Sequence, residues 1–231
     1  MAKSKVDIWS VVDRILGVAR TALLYGPPGT GKTFAAHGTD ADGRTVYSVT
    51  ITPDTPAAEL RGHYVPVGGS FEWRDGPAIK AWREGARLVL NEIDHAGGDC
   101  VAFLLNCLDS PETARITLPT GESVKPAAGF QAVATMNGVP EHDLLAALRD
   151  RFPVAVAIEE PHPAAIEALP SDLQAAARGT VCATEPERRI TLRSWLAFAA
   201  YRSEVGSEVA AFAIFGADRA ADVLQSLAIA K

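Results

Sequence analysis

An α/β fold is what this sequence predicts: a mostly parallel, five-stranded sheet flanked by helices, followed by a small all-α region. Three observations predict it. Five short apolar or β-branched runs alternate with helical stretches through the first two thirds of the chain. The first of those runs ends in a glycine-rich loop that leads into a helix. Beyond residue 159 the strand signals stop and alanine-rich helical patterns replace them. Strand–helix alternation of this kind places parallel strands in a sheet with helices on both faces.

Taken in order, residues 6–18 carry apolar side chains at 8, 11, 12, 15 and 16, the spacing of a helix face. Thr21–Tyr25 is a short apolar run that stops at a glycine, and so a buried strand. Thr45–Thr52 is rich in β-branched residues and forms the second strand. Arg87–Leu90, Phe130–Thr135 and Val154–Ile158 supply the third, fourth and fifth. Helical patterns cover Pro77–Glu84, Cys100–Leu108 and Asp143–Arg149. Within the stretch 62–73, Gly68-Gly69 sits between β-like residues and predicts a hairpin. A break at Glu159-Glu160-Pro161-His162-Pro163 sets the expected boundary between an α/β domain, 1–158, and a helical domain, 159–231. In the latter, helices are expected at Ala164–Leu169, Leu173–Ala177 and Leu192–Val205, with two more to the end.

Composition removes several classes of function. The 231 residues are 48% hydrophobic and 22% charged, within the range of globular proteins, and carry a formal charge of −6. That charge divides evenly, three net negatives on each side of residue 158, so neither part is a basic module for gripping phosphodiester chains. No window reaches the length of uncharged apolar sequence needed to span a membrane, and no signal-peptide pattern opens the chain. Cys100, Cys107 and Cys182 form no CxxC pair and read as reduced thiols of a cytoplasmic protein. The five histidines lack metal-ligand spacing.

Chemistry concentrates at two strand ends. Gly26-Pro27-Pro28-Gly29-Thr30-Gly31-Lys32-Thr33 fits GxxxxGK[ST], and it follows a strand and opens a helix as that motif requires. Glycines let backbone N–H groups curl around phosphate oxygens, and a helix N-terminus adds positive potential. Lys32 is expected to reach the β- and γ-phosphates, and the Thr33 hydroxyl to ligate Mg²⁺. The second site is Leu88-Val89-Leu90-Asn91-Glu92-Ile93-Asp94, an apolar strand with an acidic end. Glu92 stands where a carboxylate can polarise an attacking water. Asn91 stands where a metal-binding Asp is common, and offers an uncharged amide oxygen instead.

With both motifs in view, the chain resembles the AAA+ ATPases, most closely the branch of MoxR-type, midasin- and dynein-related and McrB-like modules. The similarity is dense from residue 20 to 158. It covers the phosphate loop 24–33, the insertion 62–77, the acid strand 88–94, the strand 130–137 and the segment Leu148-Arg149-Asp150-Arg151-Phe152. It implies a three-layer phosphate-loop sandwich with a small helical lid and an insertion at 62–73. ATP with Mg²⁺ would bind between sheet domain and lid, contacted by 26–33, by Phe34 beside them and by Arg193 in the lid. Thr33 and Asn91 would face the metal, Lys32 the phosphates, Glu92 the attacking water, and Asn137 either that water or the γ-phosphate. Arg151, or alternatively Arg149, would reach into a neighbouring subunit's nucleotide. The resemblance further implies a ring, by family habit a hexamer, that remodels a partner protein, often one with a von Willebrand factor A domain. Tyr64, Phe71 and Trp73 of the insertion read either as exposed aromatics for a polypeptide or as packing at the hairpin base. Two other readings stand beside this one. Asn91 suits a nucleotide-dependent structural or regulatory module with little turnover. McrB-like relatives suggest a GTP-using motor of a nucleic-acid-directed system, against which the acidic charge weighs.

Overall fold

A computed structural model describes residues 7–38, 43–183 and 185–229; the first six residues of the expected α/β domain lie outside them. In chain order the elements are α1 (Ile8–Leu16), β1 (Thr21–Tyr25), α2 (Lys32–His37), β2 (Val46–Thr50), α3 (Ala57–Arg61), β3 (Gly62–Val67), β4 (Ser70–Asp75), α4 (Pro77–Glu84) and β5 (Arg87–Asn91). A 3₁₀ turn at Ile93–His95 leads to α5 (Gly98–Cys107), then β6 (Ile116–Thr117), β7 (Ser123–Val124), β8 (Gln131–Met136), α6 (Pro140–Asp143), α7 (Ala146–Asp150) and β9 (Val154–Ala157). The remainder is helical: α8 (Pro163–Glu167), α9 (Ser171–Val181), a 3₁₀ turn at Pro186–Arg188, α10 (Leu192–Val205), α11 (Ser207–Phe215) and α12 (Ala217–Ile229).

The five predicted strands form one all-parallel sheet in the order β2–β5–β8–β1–β9. Its register aligns Thr50 with Asn91 and Asn91 with Thr135, and Tyr25 with both Met136 and Ala157. The carboxyl ends of all five strands therefore lie along one edge, where open α/β sheets bind ligands. Leu23, Leu88, Leu90, Ala132 and Ala134 are fully buried in the sheet, against Ile79 and Trp82 of α4 and Leu104 of α5. The Trp82 and Phe130 rings meet edge to face at 6.1 Å. Pro77 opens α4 and Gly85 closes it in the left-handed conformation, the usual asymmetry of helix ends.

The insertion forms an isolated antiparallel hairpin, β3 with β4, turning at Gly68-Gly69, both at positive φ as a tight two-residue turn requires. Tyr64 and Phe71 are exposed on it. Trp73 is half-buried, its indole N–H bonded to Asp75 Oδ1 at 2.6 Å and its ring edge-on to Tyr64 at 5.3 Å. The single helix expected at Asp143–Arg149 is instead two short ones. Leu144 and Leu145 are extended between them, and the Asp143 carboxylate accepts from Val139 N at 2.8 Å, closing α6 on itself. The short helix α3 and the small β6–β7 hairpin carry no periodic signal in the sequence and were not expected.

By packing, the chain divides into two compact units. The first comprises Ser10–Tyr25 and Thr33–Ala157 among the described residues and holds the sheet. The second comprises Asp7–Trp9, Gly26–Lys32 and the described residues from Ile158 onward. Its core joins Leu173 and Val181 of α9 to Trp195 and Phe198 of α10, and the Trp195, Phe198 and Phe215 rings cluster at 5.2–6.2 Å. The Trp195 indole donates to Thr180 Oγ1 at 2.8 Å. Thr191 caps α10 by accepting from Ser194 N. Cys100 and Cys107 are buried and Cys182 half-buried, all free thiols. No described helix is long and apolar enough to cross a membrane.

Candidate active site

The phosphate loop packs within the second unit. Lys32, almost fully buried, folds its ammonium over the loop and donates to Gly26 O at 2.9 Å and Pro27 O at 2.7 Å. Thr30 is fully buried and donates to Pro27 O, while its own carbonyl accepts from His162 N at 2.8 Å. Gly31 has φ +103°, and a Cβ there would sit 2.7 Å from His162 Cβ, so conformation and space both demand glycine. His162 is in turn fixed by Trp9, whose ring lies 4.5 Å away and whose indole N–H donates to Pro161 O. Arg193 is exposed in the first turn of α10, and its side chain makes no hydrogen bond or ion pair among the described residues. A glycine-lined loop that ends in a lysine ammonium fits a nucleotide polyphosphate.

In the first unit, Thr33 and Phe34 are exposed at the start of α2. Asn91 is buried at the end of β5, and both ends of its amide are used within the sheet. Nδ2 donates to Ser48 Oγ of β2, and Oδ1 accepts from Thr135 Oγ1 of β8, each at 3.1 Å. Glu92 follows in the left-handed region, φ 57° and ψ 48°. Among the described residues it is the one non-glycine with positive φ. Such a conformation costs on the order of 1 kcal/mol and is typical of functional strand ends. Asn137, one residue past β8, is exposed.

The two arginines differ. Arg151 is held by its own chain: Nε donates to Leu105 O at 3.2 Å, and its other nitrogens approach Asp150 at 3.3 Å and Asp109 at 3.8 Å. Arg149 is half-buried, and its side chain makes no hydrogen bond or ion pair among the described residues.

The sequence did not point to Ser48 and Thr135 as partners of Asn91, or to His95 beside Glu92. The Ser48 and Thr135 contacts depend on which strands are neighbours. The His95 contact depends on a 3₁₀ turn, for which the signal was only an i,i+3 spacing. A Mg²⁺ ion would find a thin donor set here: the Thr33 hydroxyl, and an Asn91 oxygen already accepting from Thr135. That set fits an ion carried mainly by phosphate and water oxygens. No cluster of three metal-ligating side chains occurs among the described residues.

The family described as AAA domain (dynein-related subfamily) matches residues 21–152. Protein NorQ of Paracoccus denitrificans is 39% identical over 146 residues, covering 62% of this chain and 53% of NorQ. The denitrification regulatory protein NirQ of Stutzerimonas stutzeri is 35% identical over 50% of this chain and 42% of its own. Midasin of Dictyostelium discoideum is 34% identical over 42% of this chain, matching only 2% of that much longer protein. The match thus spans about half the length of the bacterial relatives. A crystal structure from Cytophaga hutchinsonii, provisionally described as an ATPase, superposes over 68% of this chain and 47% of its own with a TM-score of 0.50 at 20% identity, a likeness of fold.

Proposed function

We propose, for a chain that belongs to the AAA domain family (dynein-related subfamily), that it binds ATP at the loop 26–33 and hydrolyses it slowly to drive a change in a partner protein. The observation that carries the reading is Glu92. It is held in a strained left-handed conformation at the carboxyl end of β5, its side chain open to solvent. A carboxylate so placed can take a proton from water as the water attacks a phosphoryl group. Lys32 supplies positive charge to the phosphates, and Asn137, past the next strand, orients the water. Thr33 is the protein's ligand to Mg²⁺, which when bound would neutralise phosphate charge. Asn91 then serves the sheet more than the metal, because its amide already ties β2 to β8. This supports slow turnover and gives weight to the regulatory reading.

Arg149 is the better candidate for insertion into a neighbouring subunit's site, since Arg151 is occupied by Leu105, Asp109 and Asp150 of its own chain. A ring of identical subunits and a partner protein, possessing a von Willebrand factor A domain by family habit, belong to the same proposal, as do a cytoplasmic location and binding through the lid of Arg193.

Phosphate release and nucleotide binding by wild type, Glu92→Gln and Asn91→Asp test it. Glu92→Gln is expected to keep ATP binding and to slow release by about 10²-fold or more. Asn91→Asp is expected to release phosphate faster than wild type. Wild-type turnover that survives in Glu92→Gln removes Glu92 from the chemistry. Turnover that appears only in Asn91→Asp makes the natural protein a nucleotide-binding module, and competition between ATP and GTP settles the nucleotide.

A further inference from the structure

The 3₁₀ turn after β5 stacks residues three apart on one face, because that helix has three residues per turn. His95 N donates to Glu92 O at 3.0 Å, which closes the turn. The side chains of 92 and 95 are thereby brought together, and His95 Nδ1 lies 3.5 Å from Glu92 Oε2. The other ring nitrogen, Nε2, lies 3.8 Å from Asp94 Oδ2. One imidazole thus stands between two carboxylates.

The two acids are unlike. The Glu92 side chain is 44% exposed and that of Asp94 only 12%. Asp94 Oδ1 is buried with no hydrogen-bond partner among the described residues. Burial holds the Asp94 carboxyl above its ordinary range; the fields of Glu92 and of Asp143 in α6 add to that rise, and His95 opposes it. The strand β8, which packs against the turn, contributes no ionisable side chain. Asp94 is therefore a buried acid that gains from a cation beside it.

At 3.5 and 3.8 Å the ring is within ion-pair range of both carboxylates but too far for a good hydrogen bond. The attraction consequently depends on the charge of the imidazole. We propose that His95 is a positioning residue for Glu92: braced by Asp94, its protonated ring draws the Glu92 carboxylate to itself and away from the water that Glu92 would activate. Neutral His95 releases it. This rests on Glu92 as the base of the proposed hydrolysis.

Steady-state ATP hydrolysis by wild type, His95→Gln, His95→Arg and Glu92→Gln between pH 5.5 and 8.5 tests the inference. Exposed ion pairs are individually weak, so His95→Gln should raise kcat about two- to fivefold at the acid end, with the gain fading toward pH 8.5. His95→Arg, cationic throughout, should carry the low acid-side kcat up to pH 8.5. KM for ATP should stay the same in both, since His95 acts on the base and not on the nucleotide. Variants that follow the wild-type pH profile overturn the inference, as does a loss in His95→Gln that is equal at every pH. A wild type without turnover, or a Glu92→Gln that retains it, overturns the assignment of the base and this inference with it.

Discussion

Asn91, Glu92 and Asp94 occupy four successive positions with Ile93, yet the backbone sends them to three environments. Asn91 points into the sheet, Glu92 to solvent, and Asp94 into a half-buried site where one oxygen has no partner among the described residues. The last of these has a consequence for stability. Burial raises the folded-state pKa of Asp94 above its ordinary value. Below that ordinary value both folded and unfolded chains are protonated and nothing is lost. As pH rises, the unfolded chain ionises first, so stability falls until the folded carboxyl ionises too, and the full penalty persists above. Asp94→Asn should therefore stabilise the protein at pH 7 and not at pH 3, the charged form being the costly one. Urea midpoints at the two pH values measure it. A variant equally stabilised at both has gained from something other than lost charge.

Elements were legible where pattern alone decides them. Thr21–Tyr25 and Pro77–Glu84 were read to the residue, because an apolar run stopped by glycine and a proline-to-glycine helix both announce their ends. The phosphate loop was legible for the same reason, since contiguous residues define it. The α6–α7 break was not, because it depends on Asp143 reaching back to Val139 N. Nor was the seam through Ser48, Asn91 and Thr135, which three strands far apart in sequence create. That seam makes its own prediction. Thr135→Val keeps shape and removes the hydroxyl that donates to Asn91 Oδ1, leaving a buried acceptor unpaired. The expected cost is about 1–2 kcal/mol, read from denaturant midpoints. In Thr135→Val with Asn91→Leu the acceptor is gone as well, and most of the Thr135 cost should vanish; costs that simply add would show that the two side chains do not interact.

At the scale of the molecule, the division of the chain does not follow the order of the sequence. The loop 26–32 leaves a strand of the first unit, yet it packs with the second. There His162 closes on Gly31 and accepts the loop into its backbone hydrogen bonding, and Thr191 closes on Gly29. Both residues sit at the starts of helices, α8 and α10. The stiffness of the phosphate loop should accordingly depend on the core of the second unit. Trp195 is the test, being fully buried among Phe198, Phe215 and Thr180. Trp195→Ala should cost the second unit about 3–5 kcal/mol. In hydrogen exchange, protection should fall at α9, α10 and the amide of His162, and with them at the amides of 29–32, while β5 and β8 keep theirs. Affinity for ATP should weaken in the same variant although no side chain of the loop has changed. Loop amides that stay protected while α10 opens would mean that the strand before the loop, and not the helices packed on it, holds the loop backbone in shape.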